Sequence, residues 1–202
     1  VDKSQQRIKD NPHVNRLVRG PKYLQIPFYE LTHQFWPDRK LLREEAEQVR
    51  LTGNKGFTFP IIDRECGKCV LEFQFSDEGT PVLNEYLNNF LTRYGDLGKV
   101  RAHYFYIDEN MNYMWHIDNI PSIGAQNAQK FVVQCCINVV ITDDESECEF
   151  SGFGMYKYKA GVLNTSHLHR VTPKSNRILA RISFLDSIYE EVVHRIRKID
   201  GE

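Results

Sequence analysis

The chain has 202 residues, 41% of them hydrophobic and 26% charged, a composition that suits one domain with its own core and excludes extended disorder. Lys and Arg total 26 against 27 Asp and Glu, a formal net charge of -1, so no global field recruits nucleic acid or an anionic membrane. No apolar run approaches the roughly 18 residues of a membrane span, and the N-terminal VDKSQQRIKDNPHVNR lacks the apolar centre of a signal peptide. A soluble, cytoplasmic protein is expected.

In chain order, residues 1–20 are polar and basic and read as an N-terminal arm. Tyr23 to Tyr29 alternates and carries a proline, which suits an edge strand. Asp38 is placed to cap a helix over Arg39 to Arg50, whose Leu41, Leu42, Ala46 and Val49 recur at helical spacing before Gly53-Asn54-Lys55-Gly56 ends it. Phe57 to Ile62 and Val70 to Phe75 read as a hairpin. The turn between them holds Cys66-Gly67-Lys68-Cys69, which has the spacing of half a zinc site but no second half, and is read as turn structure. With adjacent Cys135 and Cys136, and Cys148, the cysteines number five, an odd set that is no disulfide framework. Thr80-Pro81 opens a second helix with Val82, Leu83, Tyr86, Leu87, Phe90 and Leu91 on one face, closing near Gly95.

From Lys99 the pattern is strands: Val100 to Ile107, Tyr113 to Ile117, Phe131 to Ile141, Glu149 to Phe150, Met155 to Tyr158, Gly161 to Asn164, His167 to Thr172 and Arg177 to Leu185. Short strands with turn signals every eight to twelve residues indicate a sandwich or barrel. Asp143 to Ser146 reads as a polar loop, and Ser187 to Lys198 as a last helix with Ile188, Val192, Ile196 and Ile199 as its apolar set. The expected architecture is α+β: an antiparallel jelly roll with helices packed on one side. A single domain spans 1–202, divided into an arm at 1–20, helix-containing support at 21–98, a jelly-roll core at 99–186 and a C-terminal helix at 187–202. The mouth of such a barrel is where a ligand site is expected.

Chemistry concentrates in Met114-Trp115-His116-Ile117-Asp118. On an extended chain His116 and Asp118, two apart, point the same way. A further imidazole from His167 or His169 makes two histidines and one carboxylate, the facial set that leaves open positions on non-haem Fe(II). His167 and His169 are themselves two apart and share a face if that stretch is a strand. Arg177 and Arg181 follow in Arg177-Ile178-Leu179-Ala180-Arg181-Ile182-Ser183-Phe184. A three-residue hairpin loop at Lys174 to Asn176 sets His169 opposite Arg181 on one face.

This ordered set resembles the Fe(II)/2-oxoglutarate-dependent oxygenases, whose fold is a double-stranded β-helix of the jelly-roll, cupin-like type. The resemblance covers roughly Val100 to Asp186 and lies in order and spacing. It implies that His116, Asp118 and His169 hold the metal, His169 through its Arg-Val-Thr-Pro sequel, with Gly161 eight residues before it at the turn into that strand. It implies further that an arginine grips the far carboxylate of 2-oxoglutarate. Arg181, twelve residues after His169 and followed by Ser183, is the first choice; Arg177, at eight, is the alternative. Trp115, Tyr104, Tyr106, His167, Asn119, Asn138 and Asn164 are candidates to line the pocket.

The implied activity is a 2-oxoglutarate-dependent, non-haem iron dioxygenase, a hydroxylase. With Fe(II), 2-oxoglutarate and O2 it hydroxylates a C–H bond of an amino acid or peptidyl residue, while 2-oxoglutarate is decarboxylated to succinate. The carboxylate at Asp118 favours hydroxylation over halogenation, since the halogenating members lack that ligand. The compact core looks nearest to the group of aspartyl/asparaginyl β-hydroxylases and free proline hydroxylases. The rival readings are an oxidative demethylase of nucleic acid or a small metabolite, and a non-catalytic jelly-roll metal- or ligand-binding module. A small-molecule or peptide substrate is expected, with no nucleic acid and no membrane, and the oligomeric state is left open.

Overall fold

The computed structural model describes residues 26–31, 38–52, 58–63, 67–75, 80–107, 109, 115–118, 133–142, 146–172 and 175–201. The N-terminal arm, Cys66, Met114 and Asn119 lie outside the described residues. The elements are β1 (Phe28–Glu30), α1 (Arg39–Thr52), β2 (Thr58–Asp63), β3 (Gly67–Phe75), α2 (Pro81–Tyr94), β4 (Val100–Ile107), β5 (Cys135–Val140), β6 (Ser146–Phe150), β7 (Gly154–Tyr158), β8 (Ala160–Leu163), β9 (His169–Arg170), β10 (Arg177–Phe184) and α3 (Tyr189–Asp200).

Helix α1 begins where Asp38 Oδ1 accepts the Lys40 amide at 2.8 Å, which satisfies a donor that the first turn leaves without a partner inside the helix. Its inward face is Leu42, Glu45, Ala46 and Val49; Leu41, included in the apolar set by its spacing, is exposed. Helix α2 starts with proline at its first turn and buries Leu83, Tyr86, Phe90 and Tyr94. Helix α3 buries Tyr189, Val192, Val193 and Ile196 and leaves Ile199 exposed. Among the described residues no helix is long and apolar enough to cross a membrane.

The strands form a seven-stranded sheet in the order β1-β8-β5-β10-β4-β3-β2 and a three-stranded sheet in the order β7-β6-β9. Every pairing is antiparallel. The period of two in a strand divides the large sheet into two chemistries. Tyr104, Tyr106, Ile137, Val139, Val162, Ile178, Ala180, Ile182 and Phe184 join the helices in one core cluster. Phe105, Ile107, Cys136, Val140, Leu163 and Leu179 join Cys148, Phe150 and Tyr158 of the small sheet in the other. The helices therefore cover one face of the large sheet, the small sheet covers the other, and the fold is the expected antiparallel double-stranded β-helix with helices on one side.

Gly161 lies on β8 opposite Glu30 of the edge strand β1. A Cβ there would stand 2.5 Å from Phe28 Cε2 and 3.2 Å from the Tyr29 carbonyl oxygen, so the absent side chain is what lets the edge strand seat.

One pairing differs from expectation. His169 and Arg181 are not opposed across a hairpin: β9 pairs with β6, whereas β10 lies between β4 and β5. The chain changes sheets between β9 and β10, so the two residues approach through the space between the sheets. Likewise Ser146, read as loop, is a buried strand residue paired with Tyr158, because a polar residue enters a strand readily when a neighbour satisfies its hydroxyl.

Candidate metal centre

His116 is fastened to His169 by a two-bond bridge, its amide donating to the His169 carbonyl at 2.9 Å and the His169 amide donating back at 3.0 Å. The Asp118 amide donates to the Thr165 carbonyl at 3.0 Å. Residues 116–118 are thus stapled at both ends to the 165–169 segment, which brings side chains fifty residues apart in the chain onto one spot. On its other side His169 pairs with Phe150 of β6.

Among the described residues, His116, Asp118 and His169 bring one ligand atom each to within 4.8 Å of one another. Asp118 Oδ1 is 3.4 Å from His116 Nε2 and 3.7 Å from His169 Nε2. His169 Nδ1 lies 2.8 Å from the His167 carbonyl oxygen. A carbonyl accepts only, so Nδ1 carries the proton and the Nε2 lone pair faces the site, the tautomer that a metal requires. His167 itself turns away: its Nε2 donates to the Ser151 carbonyl at 2.9 Å and its ring packs edge-on to Phe153 at 5.1 Å. Of the two candidate histidines, the one grouped with His116 and Asp118 is His169.

Burial would raise the Asp118 carboxyl, but the Arg181 charge, the His116 hydrogen bond and the two imidazoles outweigh it and hold the group well below the usual carboxylate range. Burial pushes His169 down to about 4 against the pull of Asp118. The site therefore presents one anionic oxygen donor and a neutral buried imidazole at ordinary pH. Such a set of borderline nitrogens and a hard oxygen fits a divalent non-haem iron.

Arg181 Nη2 donates to Asp118 Oδ2 at 2.6 Å. Ser183, two residues on along β10, is buried with no partner for its hydroxyl among the described residues. Arg177 is buried at the other end of β10, with Nη1 on Ser146 Oγ at 2.9 Å and Nη2 on the Thr172 carbonyl at 3.4 Å. A polar cluster lies in the same layer: Asn138 donates from Nδ2 to the Tyr158 hydroxyl at 3.1 Å, and the Cys136 thiol donates to Asn138 Oδ1 at 3.5 Å.

The other pocket candidates separate. Tyr104 and Tyr106 do not line the site. They belong to the helix-facing set of β4, where their hydroxyls donate to Glu45 Oε1 and the Ala46 carbonyl, each at 2.6 Å. Asn164 is buried beside β1, its amide on the Pro27 carbonyl at 2.9 Å. Trp115 is partly exposed under the Arg170 guanidinium, 4.7 Å from its ring centroid, and Arg170 also pairs with Glu149 at 2.6 Å. Sequence reasoning did not single out His103 or Tyr158. His103 was detectable in principle, since it shares the odd-numbered, inward parity of Phe105 and Ile107 on β4.

The fold and site define a double-stranded β-helix with a His/Asp/His cluster between its two sheets. No protein-family model matches the chain, and no curated protein does. Solved structures do. A Pseudomonas putida prolyl-4-hydroxylase superposes with a TM-score of 0.54 at 13% identity, covering 86% of this chain and 99% of that one. A prolyl hydroxylase from Trichoplax adhaerens, in complex with a hypoxia inducible factor peptide fragment, gives 0.53 at 11% identity, covering 92% and 94%. A viral collagen prolyl hydroxylase from Paramecium Bursaria Chlorella virus-1 gives 0.50 at 14% identity, covering 82% and 92%. The similarity covers most of both chains and resides in the fold.

Proposed function

We propose that the protein is an Fe(II)/2-oxoglutarate-dependent dioxygenase that hydroxylates a C–H bond of an amino acid or peptidyl residue. The observation that carries this is the convergence of His116 Nε2, His169 Nε2 and Asp118 Oδ1 within 4.8 Å between two sheets. Iron, when bound with 2-oxoglutarate and O2, supplies the oxidising chemistry, with succinate as the cosubstrate product. The chain's own residues hold and orient. His116, Asp118 and His169 are the metal ligands, and the His167 carbonyl keeps the His169 proton on Nδ1.

For the far carboxylate of 2-oxoglutarate we favour Arg177 over Arg181. The Arg181 guanidinium is engaged with the ligand Asp118, beside the metal rather than a cosubstrate's length away. Arg177 lies four residues along the strand, about 13 Å at the backbone, in a buried layer with Ser146 and Tyr158. A guanidinium fork there meets a carboxylate in a low dielectric, where the pairing is strongest.

The likeness to prolyl hydroxylases, one of them with a peptide bound, supports a peptidyl substrate, and within that class a proline, over the aspartyl/asparaginyl β-hydroxylase reading. Among the described residues Cys135, Cys136 and Cys148 are free and buried, which supports a reducing, cytoplasmic setting.

The test is spectroscopic. Anaerobic Fe(II) with 2-oxoglutarate is expected to give a weak visible charge-transfer band that disappears in His116→Ala and in Asp118→Ala; a band that survives in both sinks the ligand assignment. Succinate release is then screened with proline-containing peptides, free proline and methylated oligonucleotides, and a response confined to oligonucleotides overturns the substrate class.

A further inference from the structure

We propose that Arg181 is a positioning residue that keeps Asp118 a one-oxygen metal ligand and so preserves the open positions the reaction uses. The inference rests on the metal-centre reading above and deepens it. A carboxylate beside a divalent ion can bind through one oxygen or chelate through both, and His116 and His169 do not decide between the two.

The two oxygens of Asp118 have different partners. Oδ1 faces the imidazole nitrogens, 3.4 Å from His116 Nε2 and 3.7 Å from His169 Nε2. Oδ2 accepts from Arg181 Nη2 at 2.6 Å. Chelation through both oxygens requires the carboxylate to turn until Oδ2 meets the metal, which draws Oδ2 out of line with the guanidinium and weakens the charged hydrogen bond of a buried cation.

Neither partner is free to follow the carboxylate. Arg181 sits in the middle of the seven-stranded sheet, in register with His103 on β4 and Asn138 on β5. Its guanidinium carbon is 5.8 Å from the Phe105 ring centroid, and the residue is 9% exposed. The Asp118 backbone is pinned by its amide on the Thr165 carbonyl. The sheet fixes the guanidinium, the guanidinium fixes Oδ2, and Oδ1 remains as the metal's oxygen.

The consequence is a matter of coordination number. Two imidazoles and one oxygen take three of the six positions of an octahedral ion, which leaves room for a two-point 2-oxo acid and for O2. With both carboxylate oxygens bound, one of those places is lost.

The experiment uses Mn(II) alone as the probe and counts its bound waters by the broadening of its EPR lines in 17O-enriched water. The native protein is expected to hold about three waters, Arg181→Met about two, and Arg181→Lys about three, because an ammonium restores a charged donor to Oδ2. An unchanged count in Arg181→Met overturns the proposal, as does a count of about two in the native protein.

A second measurement needs no variant. The infrared difference between Mn(II)-loaded and metal-free protein carrying 13C-labelled Asp is expected to show the wide antisymmetric–symmetric splitting of a one-oxygen carboxylate, and a narrow chelate splitting overturns the proposal even if Arg181→Met fails to fold. Failure of the metal-centre reading looks different: Mn(II) binding then survives His116→Ala unchanged.

Discussion

Tyr104 donates its hydroxyl to Glu45 Oε1 at 2.6 Å, joining β4 to α1 through a carboxylate that also caps a third element. Glu45 accepts the Val82 amide on Oε2 at 2.7 Å and the Leu83 amide on Oε1 at 2.9 Å. These belong to the first turn of α2, whose own N-cap, Thr80, makes no side-chain cap bond. Glu45→Ala strands three donors at once, two of them at the positive end of a helix dipole. The expected loss is about 3 kcal/mol, read as a lowered urea midpoint of the metal-free protein. A midpoint within error of the native one removes Glu45 from its place as the tie between the helices and the sheet.

Gly161→Ala tests the seating of the edge strand. The added methyl meets the Phe28 ring and the Tyr29 carbonyl oxygen, and backbone cannot yield as a flexible side-chain tip does. A loss of about 1–3 kcal/mol is expected, together with faster amide exchange over Phe28–Glu30. Protection equal to native in those amides contradicts the close approach.

Arg177→Met separates cosubstrate anchoring from metal binding. Loss of a charge-assisted pair predicts a rise of about 10- to 100-fold in the 2-oxoglutarate concentration that half-saturates succinate release, with metal affinity unchanged. If the rise accompanies Arg181→Met and is absent from Arg177→Met, the far carboxylate belongs to Arg181 instead.

Acidification should destabilise the metal-free protein in a defined window. Burial lowers His169 from 6.5 to about 4, and burial with the Arg181 charge lowers His103 from 6.5 to about 3. Each folded imidazole stays neutral where its unfolded counterpart has taken a proton. The unfolded state therefore binds more protons below 6.5, and stability falls as pH drops from 6.5 through about 4. Each imidazole contributes up to about 1.4 kcal/mol per pH unit over its window. Asp118, held low, adds to the loss in the same direction. Urea midpoints at neutral pH and at successively lower pH check this, and a midpoint that climbs on acidification contradicts the neutral, buried state of both histidines.

Much of the fold was legible because it rests on local periodicity. The helices over residues 39–52, 81–94 and 189–200 announce themselves by apolar spacing and by Asp38 and Pro81. The strands at Val100–Ile107, Cys135–Val140, Gly154–Tyr158, Ala160–Leu163 and Arg177–Phe184 fall in stretches that read as strands, whereas His167 to Thr172 narrows to His169–Arg170 and β6 begins at Ser146 rather than Glu149; the His116/Asp118 pair is visible as a two-residue spacing. The inward or outward sense of individual residues was less legible. Tyr104 and Tyr106 looked like pocket residues beside a metal site, yet strand parity sends them to the helices, and nothing local to a strand says which parity faces the ligand.

The sequence by itself determined most of the elements, the antiparallel double-sheet class and the donor types of the candidate site, because helix and strand periods and the chemistry of His and Asp are properties of short stretches. Only the tertiary structure decided which histidine joins the pair, since that depends on the His116–His169 bridge and on the His167 carbonyl that orients the His169 ring. It also decided that Arg181 meets Asp118 from the opposite sheet rather than His169 across a hairpin. The physical reason is the crossing of the chain from the small sheet to the large one between β9 and β10, a long-range packing choice that no residue spacing encodes.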